Sequence, residues 1–225
     1  MTRNTILYAT AATLLGASVV LAQGQPQQPR MPMTFFVTST VPGTGSLGGL
    51  AGADQICQNL AMGAGAGNHT WHAYLSQQQQ GNLPQVNARD RIGPGPWHNA
   101  KGDLIASNVA DLHGDIERDR NAIRLATAIT EKGEQVPGGG GPMPNQHDMM
   151  TGSDSHGRAF TDGIDHTCNN WTSAGANNRA MLGHHDRGRN VGNTSWNAAH
   201  MSRDCTKEGL IDTGGAGRFY CFAVN

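Results

Sequence analysis

The stretch Arg218-Phe219-Tyr220-Cys221-Phe222-Ala223-Val224 carries the clearest strand signal in the chain, an aromatic and apolar run with a cysteine at its centre. A strand so apolar belongs in a core, and its cysteine offers that core a covalent tie. Three other cysteines, Cys57, Cys168 and Cys205, complete the set. An even count in an exported chain implies two disulfides, and four cysteines allow three pairings. No two are spaced as a CxxC pair, so a cysteine-held zinc site is not expected.

Export is read at the opposite end. Arg3 gives a short positive start, Ile6 to Leu21 is apolar or small without charge, and Val20-Leu21-Ala22 supplies the small-x-small cleavage pattern. The apolar run is shorter than the ~20 residues of a spanning helix. Residues 1–22 are therefore expected to be a signal peptide, with the mature protein secreted or periplasmic and not stably inserted in a membrane. Residues 23–32 form a Gln/Pro-rich disordered lead-in. Residues 33–225 are then one domain, long enough for a real core.

Between these ends the signals are short. Met33 to Ser39 reads as a strand. Leu50, Ile56, Cys57, Leu60 and Ala61 fall on one face of a helix over Leu50 to Met62, with Cys57 buried. Trp71 to Leu75 is a strand of alternating bulk. Lys101-Gly102-Asp103 is a turn before Leu104-Ile105, and Val109 to Leu112 suits a short helix. Ile123 to Ile129 fits strand or helix equally. Pro137 to Gln146 is a flexible glycine-rich insertion. With 31 glycines and only 5% aromatic residues, the chain is expected to be rich in turns and poor in long helix. The formal net charge of −1 gives no electrostatic case for nucleic acid or an anionic membrane.

Four motifs stand in a fixed order: Leu50-Ala51-Gly52-Ala53-Asp54-Gln55-Ile56-Cys57, Trp71-His72-Ala73-Tyr74-Leu75-Ser76, Thr151-Gly152-Ser153-Asp154, and Cys168-Asn169-Asn170-Trp171, with Phe219-Tyr220-Cys221-Phe222 closing the chain. In this order they resemble the endostatin-like branch of the C-type-lectin-like fold, and more closely a family of bacterial secreted, lectin-like proteins. The Phe35-Phe36-Val37-Thr38-Ser39 start, Asn87 to Gly93, and Gly183-His184-His185-Asp186-Arg187 belong to the same likeness. It implies an α+β domain with a mixed, mostly antiparallel sheet, one or two short helices, long loops and two nested disulfides, Cys57–Cys221 and Cys168–Cys205. The outer bridge would close a long loop, worth ~4 kcal/mol in the chain-entropy model.

The segment between Cys168 and Cys205 is where a ligand is expected. Asn169, Asn170, His184, His185, Asp186, Trp196, Asn197 and His200 are the candidate binding residues, because amides and carboxylates pair with sugar hydroxyls and tryptophan stacks on sugar faces. C-type lectins hold calcium and sugar here, which makes calcium the cofactor that the likeness implies. The chain lacks the Glu-Pro-Asn or Gln-Pro-Asp triplet, however, and Trp196-Asn197 is followed by Ala198. Asn runs also serve turns, and Trp171 and Trp196 also suit a core. Adjacent His184 and His185 on a strand would face opposite ways, so only one could join Asp186, His200 or His166 around a metal. His147-Asp148 with Asp154 and His156 forms a second polar group. The absence of HExxH and of GxSxG with partners argues against a hydrolase. The expectation is an exported, non-catalytic, lectin-like binding protein whose partner is a glycan or an extracellular surface protein, including host or matrix proteins.

Overall fold

The computed structural model describes Met1 and residues 31–114, 121–139, 143–187 and 195–225. Residues 2–22 of the expected signal peptide, residues 23–30 of the lead-in and residues 140–142 of the glycine-rich insertion lie outside the described residues. Along the chain run β1 (Phe35–Val37), α1 (Gly49–Gly63), β2 (Trp71–Ala73), β3 (Trp97–His98), β4 (Leu104–Ala106), α2 (Val109–His113), β5 (Asp148–Met150), α3 (Cys168–Trp171), β6 (Met181–His184), β7 (His200–Met201), α4 (Lys207–Asp212), β8 (Gly215–Arg218) and β9 (Tyr220–Ala223). This is a mixed α+β domain. Among the described residues it has four α-helical segments and a 3-10 turn (Ala88–Asp90) rather than the expected one or two helices; α1 and α2 are the expected pair, and α4 is added where Thr206 caps it by accepting from the Gly209 N–H.

The terminal strand β9 is central, as its composition demands. It pairs antiparallel with β1 on one side and with β2 on the other. Alternation along these strands separates two apolar clusters. Phe36, Ala73 and Cys221 face a cluster that contains Cys57, Trp71 and Trp171, while Phe35, Tyr220 and Phe222 face one that contains Trp97 and Trp196. Helix α1 covers the first cluster with buried Ala53, Cys57 and Ala61. A second sheet, in the order β7-β6-β5-β8, divides the same clusters: Met150 joins the first and Met149 the second. Strands β3 and β4 form a separate hairpin. Ile123 to Ile129 adopts neither strand nor helix beyond an isolated bridge at Ile129.

The disulfides are Cys57–Cys221 and Cys168–Cys205, the nested arrangement. The outer one ties α1 to β9 and the inner one ties α3 to the loop before α4. Gly183 in β6 is required by packing: a Cβ there would stand 1.9 Å from the Trp196 carbonyl oxygen.

Helical segment α3 is unusual. Trp171 N–H donates to Thr167 O and Thr172 N–H to Cys168 O, as in one helical turn. Yet Cys168, Asn169, Asn170 and Trp171 have φ of 50, 55, 53 and 66°. The turn is therefore left-handed, which costs roughly 1–2 kcal/mol for each residue bearing a Cβ, with asparagine the most tolerant. Several ties offset this cost. The inner disulfide holds Cys168, the Trp171 indole donates to Ser76 O at 2.7 Å, and Asp165 accepts from the Asn169 N–H at 2.9 Å.

Candidate functional site

Strand register assembles the first cluster. Asp148 at the start of β5 lies opposite His184 at the end of β6, and His200 of β7 lies opposite Leu182, which shares a face with His184. Asp148, His184 and His200 thus project from one face at one end of the sheet. His147, just ahead of β5, lays its ring on that of His184 with centroids 4.2 Å apart. The Nε2 atoms of His147 and His184 each lie 3.2 Å from Asp148 Oδ1, and that of His200 lies 3.5 Å away. His184 Nε2 and His200 Nε2 are 3.0 Å apart. Ligand atoms of His147, Asp148 and His184 all fall within 4.8 Å of one another, a group capable of holding a metal ion.

The electrostatics follow from this geometry. Burial pushes the Asp148 carboxyl up, but the His184 and His200 imidazoles outweigh it and hold it below its ordinary value. Both Asp148 oxygens are nonetheless buried with no hydrogen-bond partner of good geometry among the described residues. His147 is raised chiefly by its Asp186 partner, and His200 by Asp148. Burial pushes Asp186 up as well, yet His147 and the Gly139 N–H bring it down to about 2.

A second polar feature surrounds α3. A cavity of about 310 Å³ is lined by Gln78, Gln79, Gln80, Asp165, Asn169 and Asn178, with Ile164 among its other walls. Its side chains brace one another. Gln80 Nε2 donates to Asn169 Oδ1, Asn169 Nδ2 to Thr172 Oγ1, and Asn178 Nδ2 to Asp165 Oδ2. Asn170 Nδ2 donates to Gln78 O, and Asn170 Oδ1 accepts from Gln78 N–H, which locks the wall to α3.

The candidate residues therefore divide. Asn169 and Asn170 belong to the amide cavity. His184 and His200 belong to the His/Asp cluster, and Asp186 stands behind it, accepting from His147 Nδ1 at 3.3 Å. His185 is fully buried on the other face of the strand end. Trp196 and Asn197 are each 1% exposed; Asn197 donates to the Tyr74 hydroxyl, and Trp196 packs against Tyr74 and Tyr220. Trp171 is also core, and Asp154 closes a tight turn by accepting from His156 and Arg158 N–H. His166 is engaged with Asp162, away from the cluster.

The expectation of a chain without catalytic capacity is corrected by the His147/Asp148/His184 cluster. A metal-capable group of this kind is consistent with catalysis rather than binding alone. Sequence reading had His147-Asp148 as a polar pair but did not join it to His184, since the link is a cross-strand register and not a spacing.

No family model and no curated protein sequence matches this chain. Among the described residues, no helix is long and apolar enough to cross a membrane.

Proposed function

We propose that this is an exported protein of endostatin-like, C-type-lectin-like fold that recognises a polyhydroxylated ligand, a carbohydrate, in the amide cavity around α3. The observation that carries this reading is the set of preorganised amides. Each amide nitrogen bears two N–H groups. Gln80, Asn169 and Asn178 each use one among the described residues, which leaves one for a ligand hydroxyl. Gln79 is exposed, and its side chain makes no hydrogen bond among the described residues. Asp165 fixes the wall by accepting from Thr167, Asn169 and Asn178, and Ile164 offers an apolar rim for the C–H face of a sugar ring. At about 310 Å³ the cavity is at the small end of ligand sites, suited to a single ring with its substituents. Side chains already fixed by one another lose little entropy on binding.

A glycan array with the purified domain tests it. One class of saccharide should bind, and Gln79→Ala should weaken binding about fivefold, the worth of one hydrogen bond. Asn178→Ala should weaken it further. Binding to no saccharide, or binding unchanged in the Gln79→Ala/Asn178→Ala variant, contradicts the reading; binding to extracellular matrix proteins in its place would put the partner in the protein class.

A further inference from the structure

We propose that His147, His184 and His200, together with Asp148, form a site for one divalent transition-metal ion of the zinc type, with a coordination position open to solvent. The site shares no residue with the amide cavity and stands or falls independently of it.

The tautomers argue for a cation. His147 Nδ1 faces Asp186 Oδ1 at 3.3 Å, and His200 Nδ1 faces the Met201 carbonyl oxygen at 3.1 Å. Both oxygens only accept, so both Nδ1 atoms carry the proton, and in the neutral rings both Nε2 atoms present lone pairs. These lone pairs point into the space where Asp148 Oδ1 stands 3.2 and 3.5 Å away. Three imidazole nitrogens and a carboxylate oxygen converge there, and the carboxylate is 1% exposed with no hydrogen bond of good geometry among the described residues. A buried carboxylate with three imidazole nitrogens crowded around it is costly unless positive charge sits among them. A metal ion supplies that charge.

The surroundings have the character of a built site. Metal-ligating histidines donate their other N–H to a carboxylate or carbonyl, which fixes ring and tautomer. Asp186 performs this role for His147, and it is itself held by the Gly139 N–H at 2.6 Å. The donors select the ion: nitrogen-rich sets suit zinc, copper or nickel, whereas calcium takes oxygen ligands in greater number. Accessibility is one-sided. His200 is 38% exposed at its side chain while Asp148 is sealed, so the ion would meet water past His200. An open position of this sort is what separates reactive zinc sites from closed structural ones.

The test is calorimetric titration of zinc sulfate into tag-free, EDTA-treated protein at neutral pH, with cobalt(II) absorption as a second readout. The expected result is uptake of one equivalent with micromolar or tighter affinity, unaffected by excess calcium, and visible cobalt bands of a low-coordinate N/O site. His184→Ala and His200→Ala should each weaken uptake at least tenfold. Asp186→Asn should weaken it ten- to a hundredfold. His200→Ala, at the most exposed ligand, keeps the test meaningful should His184→Ala fail to fold, and circular dichroism checks each variant. No saturable uptake by the folded wild-type protein overturns the proposal, and so does equal uptake by the His147→Ala/His184→Ala variant. Histidines that merely share protons with Asp148 would give the first of these results.

Discussion

His184 and His185 are neighbours in sequence and opposites in environment. Strand geometry turns His184 toward Asp148 and His185 into the interior, where its Nδ1 has no hydrogen-bond partner among the described residues. Burial pushes the pKa of His185 down to about 4. The unfolded chain accepts a proton near 6.5 while the folded chain refuses it, so stability present above that pH is lost as pH falls toward 4. The loss amounts to about 3 kcal/mol. His147 and His200 act with the opposite sign: their folded values are raised, so their contribution is complete below the ordinary histidine value and lost as pH rises. Comparing wild-type and His185→Gln protein, both free of metal, cancels those two. Urea denaturation at pH 7 and pH 4.5 should show the variant losing less stability than the wild-type protein on acidification; equal losses would mean that His185 is not held neutral. The divergence of this pair was legible from strand periodicity alone. The partners of His184 were not, because His147 and Asp148 lie 36 residues or more away and only the β5–β6 register brings them across.

Among the elements, those with a local signal were the legible ones. Helix α1 follows from apolar periodicity around Cys57, and β9 from its aromatic run. Helical segment α3 has no such signature. Its two asparagines were readable as residues tolerant of left-handed backbone, but Cys168 and Trp171 adopt that backbone only because tertiary ties hold them. Strain of this kind, kept where a cavity is lined, is how a fold fixes side chains in place. The inner disulfide is one of the ties. It closes a separation of 37 residues, worth about 4 kcal/mol at most in the chain-entropy model. The Cys168→Ala/Cys205→Ala variant should lose up to that amount in thermal denaturation. It should also lose saccharide binding more than metal uptake, because α3 lines the cavity and the His/Asp cluster rests on β5, β6 and β7. Equal loss of both activities in a variant that remains folded would contradict the separation of the two sites.

At the scale of the molecule, β9 and the outer disulfide organise the domain. The last strand lies between β1 and β2, and Cys57–Cys221 spans a separation of 164 residues to fasten the first helix to it. Two sheets then divide two apolar clusters, with the amide cavity around α3 and the His/Asp cluster at one end of the four-stranded sheet. The mixed α+β class and the presence of two disulfides were readable because cysteines and apolar runs mark them in the sequence, while the pairing itself came only from the family resemblance. The sites were readable only as an inventory of residue types, because their assembly depends on long-range register. The most direct measurement is anomalous diffraction at the zinc absorption edge from crystals of the domain grown with one equivalent of zinc. The account predicts one strong peak about 2.0–2.2 Å from the Nε2 atoms of His147, His184 and His200 and from an Asp148 oxygen. A fully ordered cluster with no peak among these four side chains, and zinc absent or bound elsewhere, would contradict it.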